Sequence, residues 1–240
     1  IMNRDPVLIN KRVRQEKIVD EVRAKLLTRT GGAKELTRYI PIVDSEGHLE
    51  DVLDLFTIIT RSPRKFRRVE VYGLGFVGLT LSVALASRGH YVSGIDVNSE
   101  LVSELNNGRP HVLEPRLEDM LKQVLELDKI GFYPSPPDTE HSQVYIVAVG
   151  TPVDQDGLAD LAALTTVCTT IGTRIAIGDL VMLRSTVPVG TTKTIVRKIL
   201  EDASGLVAGR DFFLAFTPER TVEGMAMVEL STLPQIVGGL

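Results

Sequence analysis

The sequence predicts an α/β protein, a doubly wound and mostly parallel sheet preceded by a small α+β segment. Three observations lead there. From Arg68 onward, short apolar segments (VEVY, YVSGID, KIGFY, VYIVAV, LVMLRS, FFLAF and QIVGG) alternate with stretches of helical spacing. Those segments are apolar almost throughout, not at every second residue, as expected of strands covered on both faces. A glycine-rich turn, Gly73-Leu74-Gly75-Phe76-Val77-Gly78, separates the first of these strands from the first helix.

In chain order, the spacing predicts helices over 77–88, 99–106, 114–127, 161–176, 191–200 and 223–230 of this second part. Ahead of it, PVLI reads as a short strand. Val13, Ile18, Val19, Val22 and Leu26 give 11–27 a mostly helical spacing, which Thr30-Gly31-Gly32 stops. RYIPIVD reads as a strand, Asp44-Ser45-Glu46-Gly47 as a turn, and 48–59 as a further strand with a short helix. The run RSPRKFRR, with Arg64, Lys65, Arg67 and Arg68, reads as a solvated linker. The expected domains are therefore 1–62 and 67–240.

The 240 residues are 43% hydrophobic and 24% charged, enough for one large domain or two smaller ones. A net charge of −4 offers no electrostatic case for nucleic acid or an anionic membrane surface. No apolar run reaches the ~18–20 residues that span a bilayer, and the start IMNRDPVLINKRVRQ lacks the apolar core of a signal peptide. The default location is the cytoplasm. Cys168 is the single cysteine, so an internal disulfide and a cysteine-based zinc cluster are excluded. Its place in ALTTVCTTIG, with no histidine or basic residue nearby in sequence, reads as a small buried apolar group. His48, His90, His111 and His141 are scattered and form no metal pair. The chain starts at Ile1 and stops at IVGGL, which reads as the end of a strand. A piece of a longer protein, cut at both ends, is expected.

The glycine-rich turn carries the sharpest local signal. Gly73 permits a tight turn, Gly75 leaves room for a pyrophosphate against the backbone, and Gly78 lets the following helix lie close to the sheet. That helix, opening at Phe76 and Val77, offers free N–H groups and a partial positive charge to the phosphates. The next strand ends in Asp96, about the ~20 residues onward that a Rossmann-type dinucleotide site requires. A carboxylate there accepts from ribose hydroxyls and repels a 2′-phosphate, which favours NAD over NADP. Glycines alone would permit no more than a turn, and a strand-end aspartate alone would read as a helix cap. Strand, glycines, helix and acid agree here.

Four further segments, AVGTPVDQDG, LRSTVPVGTT, FTPERTVEGMA and LPQIVGG, follow in order. With GLGFVGL and DVNSELVSELNNG they resemble the N-terminal NAD-binding domain of the UDP-glucose/GDP-mannose dehydrogenase family over about 67–240. Most of these motifs fall at the C-terminal ends of predicted strands, where an open parallel sheet forms its ligand crevice. The resemblance implies NAD as cofactor. Gly73, Gly75, Phe76, Val77, Gly78 and Asp96 would bind it, with Thr151, Ser185 and Thr186 at its nicotinamide end. It implies that Thr151 also helps hold the reactive water and sugar. Glu219 would stand beside the catalytic cysteine as the base for water activation and thioester hydrolysis. Arg220, Glu223 and Gly224 would lie on the loop that approaches a nucleotide-diphospho-sugar. The residues alone offer a plainer reading of Glu219, an acid at a helix N-terminus after Thr217-Pro218.

The family oxidises the sugar C6 alcohol twice, to aldehyde and then to acid, with two NAD. It uses a cysteine, a lysine and an asparagine from a central helix and a C-terminal domain. No such sequence follows Leu240 and Cys168 stands at a non-matching position, so these residues are expected to supply the cofactor half alone. The missing domain is the expected partner, and the longer protein is expected to be a homo-oligomer. Two departures from the family pattern, Thr80 for proline and Phe76 for a frequent tyrosine, remove no phosphate donor. PERT in place of PEF points toward an N-acetylamino sugar.

The first segment resembles one CBS motif, through M-x-x-x-P-V at its start and I-P-I-V-D-x-x-G before its last strand. Asp51, Asp54 and Thr57 alter the run that usually meets an adenosine nucleotide, and added acids repel phosphates. A structural or regulatory half-module is expected. Two other functions compete with the dehydrogenase reading. One is a non-catalytic nucleotide- or NAD-binding regulatory protein. The other is an NAD dehydrogenase of hydroxyacyl thioesters or phosphogluconate, which STVPVGTT and PERTVEG oppose.

Overall fold

The near-continuous apolar segments assemble into one seven-stranded sheet. A computed structural model describes residues 8–10, 21, 39–54, 68–138 and 141–240. The chain divides into two units, Ile1–Lys65 and Phe66–Leu240. In the second unit the strands are β4 (Arg68–Tyr72), β5 (Tyr91–Ile95), β6 (Ile130–Tyr133), β7 (Val144–Val147), β8 (Leu180–Leu183), β9 (Phe213–Phe216) and β10 (Gly238–Gly239). Their spatial order is β10-β9-β8-β7-β4-β5-β6. All neighbours pair in parallel except β10, which runs antiparallel to β9. The chain winds outward from β4 in one direction through β6, then returns to β7 on the other side of β4. That reversal opens a crevice at the C-terminal ends of β4 and β7.

Six helices cover the sheet: α1 (Phe76–Ser87), α2 (Ser99–Asn106), α3 (Leu117–Glu126), α4 (Ala162–Gly172), α5 (Arg197–Ser204) and α6 (Ala226–Thr232). Alternate residues of β4 feed two cores. Val69 and Val71 join Leu79, Val83, Leu105 and Leu121 on one face. Tyr72 joins Tyr145, Val147, Leu164, Ile171 and Leu183 on the other. Cys168 is fully buried in this second core, as its helical position predicts.

Local chemistry explains where the elements begin and end. Asn98 caps α2, its side chain accepting from the Glu100 and Leu101 N–H groups at 3.1 Å. The helix expected from 114 starts at Leu117, because Arg116 adopts a left-handed backbone, φ 69°. The helix expected from 223 starts at Ala226, because Gly224 has φ 89° and gives its N–H elsewhere. The helix expected over 161–176 ends at Gly172. That expected over 191–200 begins as a π turn, Thr192–Val196, and runs on as α5 to Ser204, where Gly205 closes it in the left-handed region. Arg68 does not belong to a solvated linker. It opens β4 and lays its guanidinium 5.4 Å from the centre of the Tyr91 ring.

In the first unit, β1 (Ile9–Asn10) pairs in parallel with β2 (Tyr39–Val43), and β2 pairs antiparallel with β3 (Leu49–Asp54). Ile9 and Ile40 are its buried residues among those described. Asp44 builds the expected turn by accepting from the Glu46 and His48 N–H groups at 2.8 and 2.9 Å. The helices expected over 11–27 (Glu21 apart, which is helical) and after β3, and the linker at 61–67, lie outside the described residues. Among the described residues, no helix is long and apolar enough to cross a membrane.

A buried acid sits in the central strand. Glu70, in the middle of β4, is 1% exposed. Arg174 donates to its carboxylate at 2.9 Å and the Tyr72 hydroxyl donates at 2.6 Å. Burial and the adjacent Glu70 charge push the Tyr72 phenol up, so it stays a donor. Removing the cation strands the acid, so Arg174→Met is expected to lower unfolding stability by about 3 kcal/mol. Urea unfolding measures it, and adding Glu70→Leu should recover part of the loss.

Candidate functional site

The crevice is built first from the glycine turn. Gly73 has φ 88°, and a Cβ there would lie 2.8 Å from the Ala148 carbonyl oxygen and from Val149 backbone atoms. A Cβ at Gly78 would lie 1.8 Å from the Gly73 carbonyl oxygen. Both glycines are demanded by the protein's own backbone. A Cβ at Gly75 would meet nothing within 4 Å. Of the three glycines of the turn, only Gly75 keeps open space, beside the N-terminus of α1, which suits a pyrophosphate group.

Asp96 follows β5 and holds this turn from the side. One carboxylate oxygen accepts from the Leu74 N–H at 2.8 Å, and the other accepts from the Asn98 N–H at 3.0 Å. The acid therefore serves the turn's shape while keeping lone pairs toward the cleft, a structural duty that the spacing alone did not reveal.

Across the crevice, the loops after β7 and β8 are stitched to each other. The Thr151 hydroxyl donates to the Thr186 carbonyl, and the Ser185 hydroxyl donates to the Val149 carbonyl at 2.7 Å. Both hydroxyl protons are thereby spent on backbone oxygens, which leaves these side chains able to accept from a ligand. The resulting cleft has a volume of ≈ 620 Å³. Gly73, Gly75, Phe76, Val77 and Asp96 line one side, and Thr151, Ser185, Thr186 and Glu219 the other. Gly78 is buried behind the turn. Among the described residues, no group of three metal-ligating side chains occurs.

Arg184 also lines this cleft, and sequence reasoning passed over it. Its guanidinium donates to the Glu219 carboxylate, with side-chain exposures of 5% and 10%. The other Glu219 oxygen accepts from the Arg220 and Thr221 N–H groups at 2.7 and 2.9 Å. Burial pushes the carboxyl up, but Arg184 and these two N–H groups outweigh it and hold it below the usual carboxylate range. The helix-cap reading of Glu219 is corrected by this geometry: no helix starts there, and the first helical residue downstream is Ala226. A signal for Arg184 was present in LRSTVPVGTT, where an arginine closes an apolar strand.

The remaining expected residues, Arg220, Glu223 and Gly224, lie on the loop after β9 and do not line the cleft themselves. Arg220 is exposed and donates to the Pro234 carbonyl at 3.1 Å. Glu223 is exposed. The Gly224 N–H donates at 2.7 Å to Glu114, a second residue that the motifs did not single out. Cys168, inside α4, is buried far up from ordinary thiol behaviour, its pKa pushed up to about 12 by burial.

Residues 67–240 match the profile of the UDP-glucose/GDP-mannose dehydrogenase family, NAD binding domain. UDP-N-acetyl-D-mannosamine dehydrogenase of Pyrococcus horikoshii is 38% identical over 173 residues, covering 72% of this chain and 41% of that protein. Its solved structure aligns with a TM-score of 0.68 at 37% identity, over 72% of this chain and 41% of that one. The ternary complex of GDP-mannose dehydrogenase from Pseudomonas aeruginosa gives a TM-score of 0.68 at 34% identity, over 72% and 41% of the respective chains. The chain thus spans about two-fifths of the length of these relatives.

The three glycines are expected to separate by experiment. Gly75→Val should abolish NAD binding in calorimetric titration and leave the melting temperature within about 2 °C, since the added side chain meets no protein atom at Cβ. Gly78→Ala should instead cost about 1–3 kcal/mol of stability through backbone overlap. Glu219, whose folded pKa is depressed, contributes stability that is present above its unfolded value near 4.5 and lost as the pH falls through the lower folded value. Melting curves below that pH should show the loss, and Glu219→Gln should flatten it.

Proposed function

Because this chain belongs to the UDP-glucose/GDP-mannose dehydrogenase family, whose NAD-binding domain fills residues 67–240, we propose that it serves the NAD-dependent oxidation of a nucleotide-diphospho-sugar C6 alcohol to the uronic acid. These residues supply the cofactor-binding half of that enzyme. The carrying observation is one cleft that gathers the pyrophosphate space at Gly75, the acid Asp96, and the Thr151, Ser185 and Glu219 side chains at the sheet's C-terminal edge.

The division of labour follows from position. NAD, when bound, supplies the hydride acceptor. Gly75 and the N–H groups opening α1 receive its pyrophosphate, and Asp96 accepts from the adenosine ribose. Ser185 and Thr186 border its nicotinamide end, and Thr151 orients water and sugar. Glu219, kept ionised by Arg184, accepts a proton from the attacking water. Arg220, Glu223 and Gly224 border the sugar. Cys168 has no part in this: it is 0% exposed, and a thiol pushed up to about 12 is not a ready nucleophile. The second oxidation therefore draws its thiol from a catalytic domain beyond residues 1–240, within a cytoplasmic homo-oligomer. We read the mixed three-stranded sheet of the first unit as a CBS-like half-module of structural or regulatory use.

Two measurements test this reading. NAD should bind more tightly than NADP by roughly tenfold, because like charges ~4 Å apart repel by about 1 kcal/mol in water and more when partly buried. Tighter binding of NADP would remove Asp96 from the ribose. Residues 1–240 alone should convert no UDP- or GDP-sugar to its uronic acid, since the buried Cys168 cannot form the thioester through which the second oxidation passes. Uronic acid formation undiminished by Cys168→Ala would sink the division of labour.

A further inference from the structure

The loop between β9 and α6, residues 217–225, has no helix or strand of its own, so its shape depends on what its backbone N–H groups find. Three carboxylates take four of them and the Met227 N–H just beyond. Glu219 accepts from Arg220 and Thr221. Glu229, on α6, accepts from Val222 at 2.8 Å. Glu114 accepts from Gly224 at 2.7 Å and from Met227 at 3.2 Å. The first two acids belong to the loop or its own helix. Glu114 comes from the turn between α2 and α3, more than a hundred residues earlier in the chain.

Glu114 is 8% exposed. Burying a carboxylate is costly unless it is fully hydrogen-bonded, and its two partners are the backbone N–H groups of Gly224 in the loop and Met227 in the first turn of α6. Gly224 itself has φ 89°, a conformation that other side chains rarely adopt, and so a fixed bend. Three residues on, Met227 packs against the core that contains Leu79 and Val83 of α1, the helix that follows the glycine turn. The far end of the loop is tied by Arg184 to Glu219. The loop thus runs between two buried carboxylates: Glu219 at the cleft, and Glu114 on the side of the sheet that carries α2 and α3.

We propose that Glu114 is a positioning residue for sugar recognition: it sets the bend at Gly224 and so fixes the wall that Arg220 and Glu223 present to the substrate. This rests on the reading above that the loop borders the sugar. With four of its N–H groups already given to carboxylates, the loop presents carbonyls, the exposed Glu223 carboxylate and the Arg220 guanidinium held on the Pro234 carbonyl, a set of acceptors and one donor group that suits sugar hydroxyls. Glu114 therefore governs affinity for the sugar portion of the ligand and leaves the nucleotide portion and NAD unaffected.

The test uses the 240-residue chain with Glu114→Ala and Glu114→Gln. Amide hydrogen exchange at Gly224 and Met227 reads the loop. Calorimetry in the presence of NADH reads UDP-N-acetylmannosamine, GDP-mannose, UDP and GDP, and a separate NAD titration reads the cofactor site. Glu114→Ala should speed exchange at both amides by about tenfold or more, as expected for loss of a hydrogen bond to a charged group. It should weaken whichever nucleotide sugar the wild type binds by a similar factor, with UDP, GDP and NAD affinities within about twofold. Glu114→Gln, which keeps one acceptor oxygen, should fall between. Unchanged exchange in both variants overturns the positioning role. Faster exchange with unchanged sugar affinity overturns its link to recognition, and a parallel fall in NAD or UDP affinity shows a merely structural residue. If the wild type binds neither nucleotide sugar, the reading of the loop as substrate-facing fails, and the sugar-recognition proposal falls with it while the exchange data still report what holds Gly224.

Discussion

A methyl group at position 78 would lie 1.8 Å from the carbonyl oxygen of Gly73. That contact limits how near the first turn of α1 comes to the end of β4, and much of the crevice follows from it. With the helix seated this closely, its unpaired N–H groups face the point where the strand order reverses. Gly73 then has to cross over the Ala148–Val149 backbone with positive φ, and the loop after β7 is drawn alongside. Asp96 completes the arrangement by accepting from Leu74. A single close approach thereby aligns three loops that come from distant parts of the chain.

The sheet was legible because its determinants are local. Apolar runs of four to five residues between helical stretches are set by burial on both faces, and the observed strands of the second unit fall inside the segments that the sequence marks, with Arg68 added at one end. Helix ends were less legible where a single residue decides them. Arg116 in the left-handed region delays α3, and no composition rule selects an arginine for that conformation. The π turn at Thr192–Val196 likewise leaves no mark in the apolar spacing. QIVGG pairs antiparallel and only through Gly238–Gly239, which depends on the chain turning back after α6.

Within the site, the legible residues were those whose chemistry is carried by a short motif. Gly73, Gly75, Gly78 and Asp96 declare themselves by spacing, and Thr151, Ser185, Thr186 and Glu219 by resemblance. Arg184 and Glu114 did not, because each matters through a partner brought near only by the fold. The Arg184 pair spans 35 residues and the Glu114 contact to Gly224 spans 110. The same holds for Glu70. An acid within VEVY looks like an error in a buried strand until Arg174, 104 residues later, is seen to answer it. Buried charge is the part of this protein that a linear reading handles worst, since its cost is local and its compensation is not.

The burial of Cys168 has a practical side. It is the only cysteine in the chain, it is 0% exposed within the second core, and its thiol is pushed up to about 12. Electrophilic labelling reagents need a thiolate to attack them, and a thiol so buried offers almost none at neutral pH. Any cysteine introduced on the surface would thus be the sole reactive handle in an otherwise silent background. A fluorophore or spin label could be placed on the exposed Glu223, or beside the cleft at the exposed Val97, without first removing a native residue from the core. The tight packing that denies this thiol a role in chemistry makes the wild-type chain a ready platform for watching its own loops move.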